Sequence, residues 1–400
     1  MKIREADTTV TDDDASQDTG TALATDSTPP PRRRRWVRRL GTTVLALGLV
    51  AGACIVDAES MAGDDPFEVK LGIWGREHGL GFAITWLEEV QYALNPPATG
   101  GTTSVATVLH ATGYKARARV TSTYKPLTPI DRSSSLANEG RWNTLIASGG
   151  EPVISVSLMR PDSTHTSYLA AVVRINGKRA TLNLHPGSED PGNATRFGSS
   201  DVITKSDWKA LIGAFNGGFK IKDAQGGFYL NGATAGTLAH GAASLVTYKD
   251  GHSDIGAWGS DVSMSANVAS VRQNLHLLVD NGRVTPSADA AVKSSWGATV
   301  GGAYYVWRTG IGIRADGDVV FVFGDALSAQ SLAQLLKAAG AVRAMQLDIN
   351  KDWAAFYYFT RPSGRPEAKP TAHKVIPFRK PLSRYFTTVT RDFYTISLNK

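Results

Sequence analysis

Tyr304 to Asp325 reads YYVWRTGIGIRADGDVVFVFGD. Two runs rich in β-branched and aromatic residues, 304–313 and 318–323, flank the turn signal Ala315-Asp316-Gly317-Asp318, so the stretch predicts two buried strands joined by a tight turn. SAQSLAQLLKAAGAV follows, a helix with Ser328 as N-cap, Leu332, Leu335 and Leu336 on one face, and Gly340 as its stop. RAMQLDIN then reads as a strand ending at Asp348. This order is not a strict alternation of strand and helix.

Upstream, short strands are expected at 211–215, 226–230, 242–248, 254–258 and 271–279, with KDGH and DNGR as turns. Strand patterning also runs through 116–185, where INGK (175–178) between two β-rich runs signals a hairpin. Residues 72–94 have helical spacing stopped by NPP. The expected class is α+β: a mixed, largely antiparallel sheet core with a few packed helices, preceded by one N-terminal transmembrane helix.

The net charge of +7 is unevenly spread. Residues 1–39 hold eight Lys/Arg and seven Asp/Glu, and residues 361–400 hold nine against two. The rest is close to neutral, which argues against a nucleic-acid groove. Residues 1–31 are poor in core-forming side chains and read as disordered. Arg32 to Arg39 carries six arginines, and Leu40 to Val56 is seventeen residues without a charge. As a helix that segment spans about 25 Å, near the lower limit for a bilayer. The arginines favour a cytoplasmic N-terminus and an extracytoplasmic body; the expected form is an uncleaved single-pass anchor, the alternative being cleavage after Ala51-Gly52-Ala53. The single cysteine, Cys54, lies in that segment, so no intrachain disulfide forms. The expected organisation is a tail at 1–39, an anchor at 40–56, a helical region and linker at 57–115, a catalytic domain at 116–360 and a basic extension at 361–400.

Three polar clusters follow predicted strands. Asn216, Gly217 and Gly218 end the run LIGAF; the carboxamide there suits a ligand, and the glycines allow close approach or positive φ. The plain alternative is a glycine bulge with Asn216 bonding its own backbone. Arg308 and Thr309 interrupt an aromatic and aliphatic strand. A guanidinium there needs an anion, either a phosphate or an internal carboxylate. Asp348 closes the third strand, with Asn350 two positions on and expected on the same side. Arg272, Asn274 and His276 share a period-2 face. The eight histidines lack metal-motif spacing, and neither metal nor cofactor is expected.

In order, AFNGGF, LHLLVDNGRV, RTGIGIRADGDVVFVF, the Leu-rich helix and AGAVRAMQLD resemble the phosphodiester glycosidase family, in an actinobacterial-type branch. The resemblance covers roughly 150–350. Asn216, Gly217, Gly218 and Phe219 match one family motif; Arg308, Thr309, Ile311 and Gly312 match another. Asp325 falls where the family often has an acid. Asp348 is retained from a third motif, but Ile349, Asn350, Lys351 and Asp352 replace its glycine-rich turn; Lys351 and Trp353 offer charge and stacking instead.

The resemblance implies hydrolysis of the glycosidic bond of a sugar-1-phosphodiester, here in extracytoplasmic envelope glycans. Asp348, Arg308 and Asn216 would be catalytic; Gly217, Gly218, Thr309, Asn350, Arg272 and His276 would bind substrate. The expected partners are a sugar-phosphate or envelope glycan and, through the N-terminal helix, the membrane. Two rival readings are a non-catalytic glycan-binding or scaffold protein on the same fold, and a phosphodiesterase that cuts P–O bonds.

Overall fold

The computed structural model describes residues 51–399 apart from 62–65, 81–82, 85–93, 95, 114–121, 132–135, 290–295 and 298–303. The chain divides into two units, Met1–Val56 and Asp57–Lys400. Of the first, residues 51–56 are described and are helical. Most of the expected anchor at 40–56 lies outside the described residues, among which no helix is long and apolar enough to cross a membrane. Residues 116–121, where the expected strand patterning begins, also lie outside them, and 122–124 are not strand.

The second unit is α+β, with three largely antiparallel sheets and few helices. The opening stretch folds as expected. Val306–Arg314 and Val319–Leu327 pair antiparallel across the Asp316–Gly317 turn. They occupy the middle of an eight-stranded sheet, and Ala341–Gln346 pairs with Val306–Arg314 on its other edge. The VVFVF run is apolar throughout because both its faces are covered. Phe321 and Phe323 point into one core, while Val320 and Val322 pack in another with Leu332, Leu335 and Leu336 of the Ala329–Ala338 helix. Ser328 caps that helix reciprocally with Ser331, satisfying donors that the first turn leaves open.

The core of Phe321 and Phe323 is closed by a five-stranded sheet. Its Leu211–Asn216 strand lies between Phe356–Thr360 and Phe393–Leu398. Phe215 packs with Phe321 at 4.9 Å between ring centres and with Tyr394 at 5.2 Å. Residues 361–400, set apart by their basic composition, are built into this unit. Phe393–Leu398 is bonded on both edges, to Leu211–Asn216 and to Ala180–His185, and Thr371–Lys374 forms the sheet's edge.

Other expectations change. The INGK turn does not close a hairpin: Ala170–Ile175 is already paired on both edges, with Glu151–Met159 and Val319–Leu327, so Ala180–His185 crosses to the five-stranded sheet. The expected strand 271–279 is two, Val268–Gln273 and Leu277–Asp280. They belong to different sheets, and Leu275 between them has φ 53°, a left-handed conformation no strand accommodates. The helix expected from residue 72 begins earlier, at Phe67, and ends at Glu77.

Candidate active site

At one end of the five-stranded sheet, Phe393 pairs with Asn216, and the Gly217 N–H donates to the Asp392 carbonyl at 3.0 Å. This register brings Asn216–Gly218, Asp348 and the C-terminal segment together around a cavity of about 230 Å³, counted with the solvent at its mouth. Trp353, Arg384, Tyr385, Val389, Arg391 and Asp392 complete the lining. That figure includes open solvent, and the enclosed space is about that of a single water molecule.

Asp348 sits two residues beyond the Ala341–Gln346 strand and is 5% exposed. Its Oδ1 accepts the Asn350 N–H at 2.9 Å, and Arg391 Nη2 stands 3.7 Å from its Oδ2. Burial pushes its carboxyl above the usual range; the Arg391 charge and the N–H groups of Asn350 and Ile349 pull it partly back. A carboxyl raised in this way is suited to taking up a proton.

The Asn216 carboxamide is spent inside the protein. Its Nδ2 donates to the Gly217 carbonyl at 2.8 Å and to Thr309 Oγ1 at 3.0 Å, while its Oδ1 accepts the Ala355 N–H at 3.1 Å. Thr309 Oγ1 also accepts the Asp348 N–H at 2.8 Å and donates to the Asp348 carbonyl at 3.1 Å. Asn216 and Thr309 thus hold the backbone at Asp348 rather than reach into the cavity. Asn350 is occupied likewise, its Oδ1 accepting the Asp352 N–H.

Gly217 and Gly218 do not take up positive φ. Their missing side chains make room for the protein's own groups. A Cβ on Gly217 would lie 1.9 Å from Asp392 Oδ2, and one on Gly218 would lie 3.0 Å from Asn274 Oδ1.

Arg308 is not at the cavity. It is 3% exposed, and its donors go to the Leu327 carbonyl at 2.9 Å, Gln346 Oε1 at 2.7 Å, and the Trp296 and Tyr304 carbonyls, each at 3.4 Å. None of these partners is a carboxylate, and burial holds its pKa down to about 10. Arg272 is also internal, joined to Asp392 by a two-point ion pair at 2.9 and 3.1 Å. The chain bend at Leu275 turns His276 out of the expected face and leaves it exposed. Of the expected site residues, the structure therefore gathers Asn216, Gly217, Gly218 and Asp348 at the cavity. Thr309, Asn350 and Arg272 stand behind them, and Arg308 and His276 lie elsewhere.

The cations at the cavity come from the stretch set aside as a basic extension. Lys380 Nζ, Arg384 and Arg391 lie over the Trp353 ring at 4.6, 4.9 and 5.2 Å from its centre. Trp353 is therefore a seat for cations. The Tyr385 phenol, buried near Asp392 and Asp348, is held well above its usual pKa and stays protonated. The legible signal was the charged pair Arg391-Asp392 at the entrance of the apolar strand FYTISL. Among the described residues, no group of three or more His, Cys, Asp or Glu side chains is placed to hold a metal ion.

Residues 209–348 match the family model described as phosphodiester glycosidase. Among solved structures, the chain is similar to the catalytic domain of zebrafish N-acetylglucosamine-1-phosphodiester alpha-N-acetylglucosaminidase, auto-inhibited by its pro-peptide. The identity is 14% and the TM-score 0.40, covering 65% of this chain and 88% of that one. It is also similar to a hypothetical protein from Synechocystis, at 11% identity and TM-score 0.33, covering 63% of each chain. No curated protein matches the chain. Arg384, Arg391 and Asp392 fall outside the matched residues, whereas Asn216, Thr309 and Asp348 fall within them: the likeness to the phosphodiester glycosidase family model is confined to residues 209–348.

Proposed function

We propose that the protein hydrolyses the glycosidic bond of sugar-1-phosphodiesters in extracytoplasmic envelope glycans. The observation that carries this reading is the meeting of the buried Asp348 carboxyl with the Arg384 and Arg391 guanidinium groups at one small cavity.

In this mechanism the phosphodiester anion lies against the cations, with the anomeric carbon facing Asp348. Water attacks that carbon and gives its proton to Asp348. The bond from carbon to the phosphate oxygen breaks, and its electron pair leaves with the phosphomonoester. Such a leaving group needs less acid assistance than a sugar alkoxide, so one carboxyl and a cationic seat suffice where most glycosidases use a carboxyl pair. Fixed cations at developing phosphate charge are worth about 3–4 kcal/mol each when well aimed. Asp392, tied to Arg272, holds the floor of the cavity. Asn216 and Thr309 are positioning residues.

The placement outside the cytoplasm rests on the six arginines at 32–39 ahead of the uncharged segment 40–56, which acts as a single-pass anchor. The test is release of reducing sugar from a glycosyl phosphodiester by the full chain. We expect Asp348→Asn to lower kcat by about 10²–10⁴ with an unchanged melting temperature. Glycan binding without turnover, in wild type and variant alike, would instead favour the scaffold reading.

A further inference from the structure

Arg391 is held differently from Arg272. It is 8% exposed, and its Nη2 donates to the Gly218 carbonyl at 2.9 Å. Two carboxylates flank it beyond hydrogen-bond distance: Asp190 Oδ2 is 3.6 Å from Nε, and Asp348 Oδ2 is 3.7 Å from Nη2. Its Nε is buried and has no hydrogen-bond partner among the described residues. That Nε lies beside Asp190, which does not line the cavity, whereas Nη2 is the end beside Asp348, which does. Arg272, by contrast, has a two-point pair with Asp392. Both flanking carboxyls are raised by burial, and in each case Arg391 is one of the charges pulling back.

The geometry points to Arg391 as the oxyanion-binding group of this cavity, poised so that an anion seated on it takes its charge away from Asp348 and leaves that carboxylate free to accept a proton. The ligand class is a tetrahedral oxyanion, met in the substrate as a phosphodiester. Asp348 Oδ1 already holds the Asn350 N–H, so Oδ2, the oxygen facing Arg391, is the one that takes the proton. The other groups around Asp348 do not supply this coupling. Asp392, on the same C-terminal segment, is paired with Arg272. Tyr385 stays a phenol, and of the three cations that share the Trp353 ring it is Arg391 whose charge acts on Asp348. The sign follows: Arg391 favours the ionised form of Asp348, so a competing anion raises the carboxyl's proton affinity and binding takes up protons.

This inference deepens the glycosidase reading but is tested without turnover. Sulfate serves as probe because it does not titrate between pH 5 and 8. Calorimetry of sulfate binding to the full chain, in buffers of different ionisation enthalpy, should show net proton uptake within that pH range. Asp348→Asn should bind sulfate at least as tightly with that uptake gone. Arg391→Gln should lose binding by about 30-fold or more, the loss expected when a bonded cation is removed. Arg391→Lys should keep part of the affinity. Dimethyl phosphate, a diester monoanion, should behave as sulfate does; if inorganic phosphate alone binds, the site serves free phosphate and the diester assignment is overturned. Melting curves establish that each variant is folded, and Asp348→Asn carries the test if Arg391→Gln is not. No sulfate binding, undiminished binding in Arg391→Gln, or binding without proton uptake in the wild type would overturn the proposal. A chain that binds anions as described but cleaves no glycosyl phosphodiester would overturn only the functional reading.

Discussion

Two arginines of this protein look alike by burial and differ in what surrounds them. Arg308 spends its donors on main-chain carbonyls and one carboxamide, so its charge is enclosed. Arg391 stands at a cavity between two carboxylates with one donor unmade. A buried guanidinium satisfied by neutral oxygens is part of the scaffold, at a cost to the charge that appears as its lowered pKa. One left incomplete beside carboxylates has capacity for a ligand. The residue type therefore carries less information than its hydrogen-bond accounting.

Four experiments bear on this contrast. The largest effect is expected from Arg391→Gln, with a loss of about 10²–10³ in kcat/KM for a glycosyl phosphodiester, as for removal of one aimed charge-stabilising donor. Its melting temperature should stay near that of the wild type. Arg308→Gln should do the reverse. Denaturant unfolding should show a loss of about 2–4 kcal/mol, since several carbonyls lose their donor, while kcat/KM changes less than fivefold. An Arg308 variant that is stable but inactive would break the contrast.

Thr309→Val is smaller still. It removes the hydroxyl joining Asn216 to the Asp348 backbone and should cost about 1–3 kcal/mol, with a fall in kcat and little change in KM. The last prediction concerns pH. The Arg308 pKa is about 10 in the folded protein, well below its ordinary value, so the unfolded chain binds more protons as pH rises through 10. Stability measured against the Arg308→Gln variant should therefore rise as pH goes from 9 to 11. A fall over that range would mean that the cation is favourably paired.

Much of the scaffold was legible in local pattern. The run through Tyr304–Asp325 and the Ser328-capped helix form as read, and the strand before Asp348 forms but ends at Gln346, because each is set by neighbours within a few residues. The INGK turn was misleading for a non-local reason: the strand before it had both edges taken by partners far along the chain. The break at Leu275 had no glycine to announce it. At the site, Asn216, the two glycines and Asp348 were found, but their roles depend on contacts that sequence spacing does not carry. Gly217 clears space for Asp392, 175 positions on, not for a ligand. Arg384, Arg391 and Asp392 were missed because composition set 361–400 apart as a basic extension. In the fold, Phe393–Leu398 is an inner strand whose register delivers them.

The most direct test is cleavage of a glycosyl phosphodiester by the full chain in ¹⁸O-labelled water. Attack at the anomeric carbon predicts that the label enters the released sugar, that the phosphomonoester carries none, and that Asp348→Asn releases neither product. Label in the phosphate would contradict the account, because it would mean that the P–O bond is the one broken.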